Sequence, residues 1–162
     1  MDFSVHQGYL PGCIGRITEL HAHFYAAHAG FGLYFESRVA RELAAFCERY
    51  DASRDGLWLA LVDGQAEGAI AIDGAHADTE GAHLRWFIAS ERLRGSGFGT
   101  QLLSWALAFC DARGYGKTYL WTFDRLQAAR HLCEKHGFRL VQQQPGRQWG
   151  SEVLEQRFER TI

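Results

Sequence analysis

Proline is nearly absent. Pro11 and Pro145 are the only two in 162 residues, so nothing of that kind breaks the middle of the chain, and no proline- or serine-rich linker divides it. Cysteine is sparse and has no metal or redox spacing. Cys13, Cys47, Cys110 and Cys133 form no CxxC couple, which removes zinc-ribbon and thioredoxin-like readings and predicts reduced thiols. Charge of one sign is missing too. Seventeen Lys and Arg stand against nineteen Asp and Glu, a net of -2, which argues against nucleic acid or an anionic membrane as partner. No apolar run approaches the ~20 residues of a membrane helix. The first ten residues have neither the basic nor the apolar region of a secretory leader, so the cytoplasm is the expected location. Metal signatures are also lacking. There is no HExxH; His21 and His23 point to different faces of a helix, and His131 and His136 are five apart, a poor spacing for chelation. No metal is expected.

What is present is a soluble globular composition, 47% hydrophobic and 14% aromatic, in a length suited to one domain over residues 1–162. A homodimer is compatible with it. The hydrophobic period then orders the chain. Ile14, Leu20, Phe24, Tyr25 and Ala27 predict a helix ending before Gly30, and Val39, Leu43, Phe46, Cys47 and Tyr50 a second one. Residues 57–62 predict a strand, Asp63-Gly64 a hairpin turn, and residues 65–72 its return. A third strand is expected over 83–89, with Arg85 and Trp86 on opposite faces by alternation. Leu102, Leu103, Ala106, Leu107 and Cys110, widened by Trp105 and Phe109, predict a long buried helix. A strand over 117–123, a helix over 128–136 and strands over 138–141 and 152–158 complete the order ααβββαβαββ. The hairpin-rich half followed by a βαβ unit predicts an α+β fold with a mixed sheet.

Between the third strand and the long helix lies Arg94-Gly95-Ser96-Gly97-Phe98-Gly99-Thr100. A strand feeding a glycine-rich turn at a helix N-terminus makes an anion site. The first backbone amides have no intrahelical partner, the helix dipole is positive there, and glycine lets a phosphate come close. Arg94 adds a forked cation. No Gly-Lys-Ser/Thr closes the loop, so it is not a P-loop. A degraded dinucleotide fingerprint, with Asp124 as ribose acid, a pyrophosphate loop for coenzyme A, and a plain strand–helix connection remain open.

The run from Leu93 to Leu103 resembles the acetyl-CoA motif of the GNAT N-acetyltransferase superfamily. Ala128-Ala129-Arg130-His131-Leu132-Cys133-Glu134-Lys135-His136-Gly137-Phe138 resembles that superfamily's second motif. Gly30-Phe31-Gly32 with Phe35-Glu36, Leu84-Arg85-Trp86-Phe87, Leu120-Trp121-Thr122, and Pro145 before Trp149-Gly150 resemble the acetyltransferase half of MarR-type regulator–acetyltransferase fusions, here as a stand-alone version. The resemblance implies acetyl-CoA as donor and a small-molecule or peptide amine as acceptor. It implies that Phe87, Ile88 and Ala89 pair with the pantetheine arm and that the Ile88 amide holds the thioester oxygen. Residues 94–100 would wrap the pyrophosphate, Phe123 would end the splayed neighbouring strand, and Arg130 and Cys133 would border the thiol. Cys133 stands where the family has a tyrosine that protonates the departing thiolate. The resemblance also makes Glu36 a candidate base, ahead of Glu80 and His83. The alternative from a different class is an acyl-CoA-binding sensor with little turnover.

Overall fold

The computed structural model describes residues 2–162. It is a mixed α+β fold: a seven-stranded sheet with two helices on one face and one on the other, and a fourth helix beside the final strands. The elements run β1 (Ser4–Gln7), α1 (Cys13–Ala29), α2 (Leu33–Glu48), β2 (Gly56–Val62), β3 (Gln65–Asp73) and β4 (Ala82–Ala89). They continue through α3 (Phe98–Ala112), β5 (Lys117–Phe123), α4 (Gln127–Lys135), β6 (Arg139–Gly146) and β7 (Val153–Thr161). The strand order across the sheet is β1-β2-β3-β4-β5-β7-β6. Every neighbouring pair is antiparallel except β4 and β5, which run parallel.

Period-two alternation divides the strands between two cores. Trp58, Ala60, Ile70, Ile72 and Leu84 meet Leu102, Leu103 and Ala106 of α3. Leu57, Leu59, Ala69 and Ala71 face the other way, onto Ile17 of α1 and Val39, Leu43 and Phe46 of α2. The Asp63-Gly64 turn forms as its residues dictate, with φ of 52° and 79°. Two expectations need correction. The order ααβββαβαββ omits the edge strand β1, which precedes the first helix. Trp105 lies on the open side of α3 and is 45% exposed, so the buried stripe is narrower than its apolar residues imply.

Two features of β4 shape everything that follows. First, its pairing to β5 is brief: Ala82 meets Thr118, His83 meets Tyr119, and there the register ends. Beyond that point the strands part. Second, β4 carries an irregularity. Its register against β3 shifts between Ala69 and Ala71, and Trp86 takes a φ of 50°, uncommon for a bulky residue. Alternation therefore fails at the bulge. Arg85 reaches Glu42 of α2, while Trp86 packs on Phe46 of the same helix, ring centroids 5.3 Å apart. The two residues share a face rather than opposing each other. Past the bulge, Phe87 and Ala89 join the α3 core and Ile88 the α1/α2 core.

Candidate active site

The separation of β4 from β5 opens a cavity of about 210 Å³. Leu84 to Phe87 form one wall and Leu120 to Phe123 the other. Ala129, Arg130 and Cys133 of α4 close one end; His21 and Tyr25 of α1, Phe35, Arg38 and Glu42 of α2, and Trp149 close the other. Phe123 joins the β5 wall to the aromatic end, with its ring 5.9 Å from Tyr25 and 5.6 Å from Trp149.

The glycine loop abuts the α4 end. Gly97 caps α3 with a φ of 79°, and Gly95 has a φ of 75°. Both are conformations that a side chain makes costly, and a Cβ at either would meet nothing within 4 Å. The space around the α3 N-terminus is thus open, and its first amides have no partner within the helix. Gly99 is glycine for another reason. A Cβ there would sit 3.0 Å from Leu132 Cδ2, so its bareness lets α3 lie against α4. Phe98 packs edge-on against Phe87 at 6.3 Å. Loop and cavity are therefore joined through Phe87–Phe98 and through Gly99–Leu132, next to Cys133. Arg94 is 77% exposed and holds only Glu91, at 3.1 Å. Ser96 turns its hydroxyl inward, donating to the Leu93 carbonyl at 2.6 Å, and Thr100 is exposed.

The register of β4 redirects one amide. Ser90 N–H donates to the Glu67 carbonyl at 2.7 Å, and Ile88 lies opposite Ala69. In an antiparallel ladder inward-bonded amides alternate, so the Ile88 amide points to β3. The amides that face the opening toward β5 are those of Phe87 and Ala89. The expectation that Ile88 offers its N–H to the opening is corrected on this ground; its side chain is buried in the α1/α2 core.

At the α2 end, charges form a chain. Arg38 Nε donates to Glu42 at 3.0 Å, Arg85 donates to the other Glu42 oxygen at 2.6 Å, and also to Asp73 at 3.2 Å. Arg49 holds Asp73 with two hydrogen bonds, at 2.7 and 3.2 Å. Arg38 also donates to the Gln148 carbonyl. Burial pushes the Asp73 carboxyl up, but the Arg49 hydrogen bond and the Ala75 amide outweigh it and leave the group below its usual range. Arg85 lies 4.1 Å over the Trp86 ring, so the bulge positions both a cation and the ring beneath it. The spacing of Arg38, Glu42, Phe46 and Arg49, four, four and three apart, puts them on one face of α2.

Four titratable groups in the lining are displaced by burial, Tyr25 upward to about 12 and three others as follows. His21 is pushed down to about 4, the Ile17 carbonyl opposing the shift only in part. His83 is pushed down to about 3, first by burial and then by the Arg85 cation; it stacks on Tyr119 at 4.5 Å. The Cys133 thiol is pushed up to about 11, by burial first and Glu134 second. Arg130 pairs with Glu134 at 3.5 Å and lies over Phe158. Glu36 sits exposed in the first turn of α2, outside the cavity lining. Arg38 and Glu42 are absent from the residues singled out in the sequence, although their i, i+4 spacing is legible there.

Among the described residues no group of three or more His, Cys, Asp or Glu side chains gathers as for a metal ion, and no helix is long and apolar enough to cross a membrane. Similar folds are known. The Salmonella typhimurium acetyltransferase yncA, solved with acetyl-CoA, superimposes with a TM-score of 0.76 at 16% identity, over 99% of this chain and 94% of that one. A point mutant of spermidine N-acetyltransferase SpeG from Vibrio cholerae gives 0.69 at 15% identity, over 98% and 94%. A GNAT family acetyltransferase of Elizabethkingia anophelis with acetyl-CoA bound gives 0.62 at 16% identity, over 99% and 98%. No curated protein matches significantly in sequence. The model of the Acetyltransferase (GNAT) family matches residues 17–138, three-quarters of the chain, and the protein belongs to that family.

Proposed function

We propose that the protein transfers an acetyl group from acetyl-CoA to the nitrogen of a primary amine by direct attack on the thioester. The observation that carries this reading is the opening between β4 and β5, with an anion-receptive helix N-terminus at one end and a largely aromatic cavity at the other. The residues present fit the donor. Gly95 and Gly97 leave room at the α3 N-terminus, and Arg94 is free to exchange an exposed ion pair for a phosphate. Residues 94–100 take the pyrophosphate, and Phe87 and Ala89 take the pantetheine arm along the unpaired edge of β4. The acetyl thioester is the electrophile. The Phe87 and Ala89 amides are aimed where negative charge develops on its oxygen, a fixed arrangement that needs no reorganisation. Phe123, Arg130 and Cys133 bound the sulfur end.

A covalent enzyme intermediate is not required. The amine must shed a proton, since its ordinary pKa is ~10. Glu36 lies outside the lining, so the acceptor side is assigned to the α1 and α2 residues that enter the cavity. Cys133 keeps its proton at neutral pH. Giving that proton to a thiolate of pKa ~8.5 runs uphill by roughly 3 kcal/mol, so its part is to shape the sulfur end. The same uphill step favours a second reading, an acyl-CoA-binding module with little turnover. Within this reading the chain resembles the catalytic half of MarR-type fusions and acts in the cytoplasm.

The test is titration calorimetry with acetyl-CoA, followed by a thiol-release assay over 2-phenylethylamine, tryptamine, phenylalanine amide, spermidine and a peptide amine. Binding with amine-dependent release is expected. Binding without release from any amine selects the second reading, and no binding at millimolar acetyl-CoA refutes both.

A further inference from the structure

His21 is a titratable side chain of the cavity lining with no part in holding the donor. It is 6% exposed, on the α1 face that meets the cavity, with Tyr25 stacked 6.1 Å away and Phe35 at 6.5 Å. Its Nδ1 lies 2.8 Å from the Ile17 carbonyl. A carbonyl can only accept, so Nδ1 carries the proton. In the neutral ring, Nε2 is then a bare lone pair. Among the described residues no hydrogen bond reaches Nε2. Nor is it sealed away: the one sealed side-chain polar atom without a partner among the described residues is Thr118 Oγ1. A buried imidazole of fixed tautomer in the cavity lining thus keeps an unpaired acceptor.

The other titratable acceptors in the lining are engaged or unsuited. Both Glu42 oxygens accept from guanidinium groups, of Arg38 and Arg85. His83 is stacked on Tyr119 where β4 and β5 are still paired, at the closed end of the opening. The Tyr25 hydroxyl, pushed up to about 12 by burial, keeps its proton and serves as a donor. His21 lies at the aromatic end, linked through Tyr25 to Phe123 on the open side of β5.

We propose that His21 receives the acceptor amine, its Nε2 taking the amine N–H and turning the nitrogen lone pair toward the thioester. This rests on the acetyltransferase reading. The amine enters neutral, having left its extra proton in water. Its nitrogen, held by the hydrogen bond to Nε2, bonds to the carbonyl carbon and, once cationic, gives a proton to solvent. The C–S bond breaks with its electron pair on sulfur, and the thiolate takes a proton from solvent. Amide and free thiol are the products, with no net proton change.

Two substitutions separate this role from packing. In His21→Asn the side-chain amide can still donate to the Ile17 carbonyl but offers no acceptor at the Nε2 position. In His21→Gln an amide oxygen can reach that position while the Ile17 bond is lost. With the best amine of the panel, His21→Asn is expected to bind acetyl-CoA within twofold of the parent while kcat/KM for the amine falls at least tenfold. His21→Gln is expected to recover part of the loss. Asn within twofold of the parent in kcat/KM overturns the proposal. A second measurement needs neither variant nor turnover. In protein labelled with 15N-histidine and saturated with coenzyme A, the His21 Nε2 resonance is expected to move on adding 2-phenylethylamine, and a resonance that stays put overturns the proposal. A parent that moves this resonance yet releases no thiol from acetyl-CoA with any amine instead refutes the transfer reading and leaves the amine site standing.

Discussion

Lowering the pH from 8 to 5 should cost this protein a large share of its stability, because the fold holds two neutral histidines, His21 buried and His83 half-buried. His21 and His83 titrate near 4 and 3 in the folded chain, against ~6.5 when unfolded. Their folded values are depressed, so below pH 6.5 the unfolded chain binds more protons than the folded one. Stability therefore falls as the pH falls, and the loss is complete only once the folded values are passed. At pH 5 the linkage relation gives about 2 kcal/mol from each ring. The partial exposure of His83 trims its share, which leaves a combined loss of about 3–4 kcal/mol. A domain of this size holds about 5–15 kcal/mol in total, so the effect is not small. Asp73 and Glu67, whose carboxyls lie below their ordinary range, add losses mainly at still lower pH. Urea unfolding followed by tryptophan fluorescence at pH 8, 7, 6 and 5 measures the drop, with a constant m-value as the check on two-state behaviour. His21→Gln should remove about half of the pH dependence. A parent that loses less than ~1 kcal/mol between pH 8 and 5 would refute the reasoning, since at least one ring would then be hydrated and free to charge.

Arg94→Ala should leave urea stability within ~0.5 kcal/mol, because its pair with Glu91 is exposed, while weakening acetyl-CoA about tenfold or more in calorimetry through loss of a charge-assisted contact. Gly97→Val should weaken the same binding more than Arg94→Ala does. A β-branched residue resists the φ of 79° at the cap and costs ~1–2 kcal/mol of strain, which the loop relieves by moving the amides of the α3 N-terminus. Cys133→Tyr should lower the melting temperature, since a ring replaces a side chain that is 5% exposed, with an overpacking cost of ~1–3 kcal/mol. In the thiol-release assay, activity appearing only in that variant would establish the parent as a binding module.

The readable parts of the molecule were the local ones. Asp63-Gly64 and the residues 94–100 declare themselves because turn and cap conformations belong to the backbone of a few neighbours. Ala69 and Ala71 alternate with Ile70 and Ile72 along the chain, and that local period matches the two faces of β3. β1 escaped because Ser4-Val5-His6-Gln7 has little strand character of its own and is held by its partners Trp58 to Leu61. The Arg85–Trp86 irregularity escaped because alternation assumes an unbroken register, and nothing local marks the break. The same shift decides which amides face β5, so the error at Arg85 and the error at Ile88 have one source. The aromatic end of the cavity was beyond reach for a different reason. His21, Glu42 and Trp149 are far apart in sequence, and the burial that fixes the charge of His21 exists only after α1 and α2 settle on the sheet.

The two-residue contact between β4 and β5 also makes the sheet a pair of plates riveted at one corner. Strands β1 to β4 form one plate and β5, β7 and β6 the other. Backbone protons along 85–89 and 120–123 should exchange with solvent sooner than those deeper in either plate, because local opening there breaks few bonds. A molecule lying along the opening would bridge both plates and act as a missing strand. It would stabilise the folded domain by about 2.7 kcal/mol at a hundred times its dissociation constant, and slow exchange on both margins at once. Under the proposed function the donor would be a temporary piece of the architecture, and each turnover would unfasten and refasten the same seam.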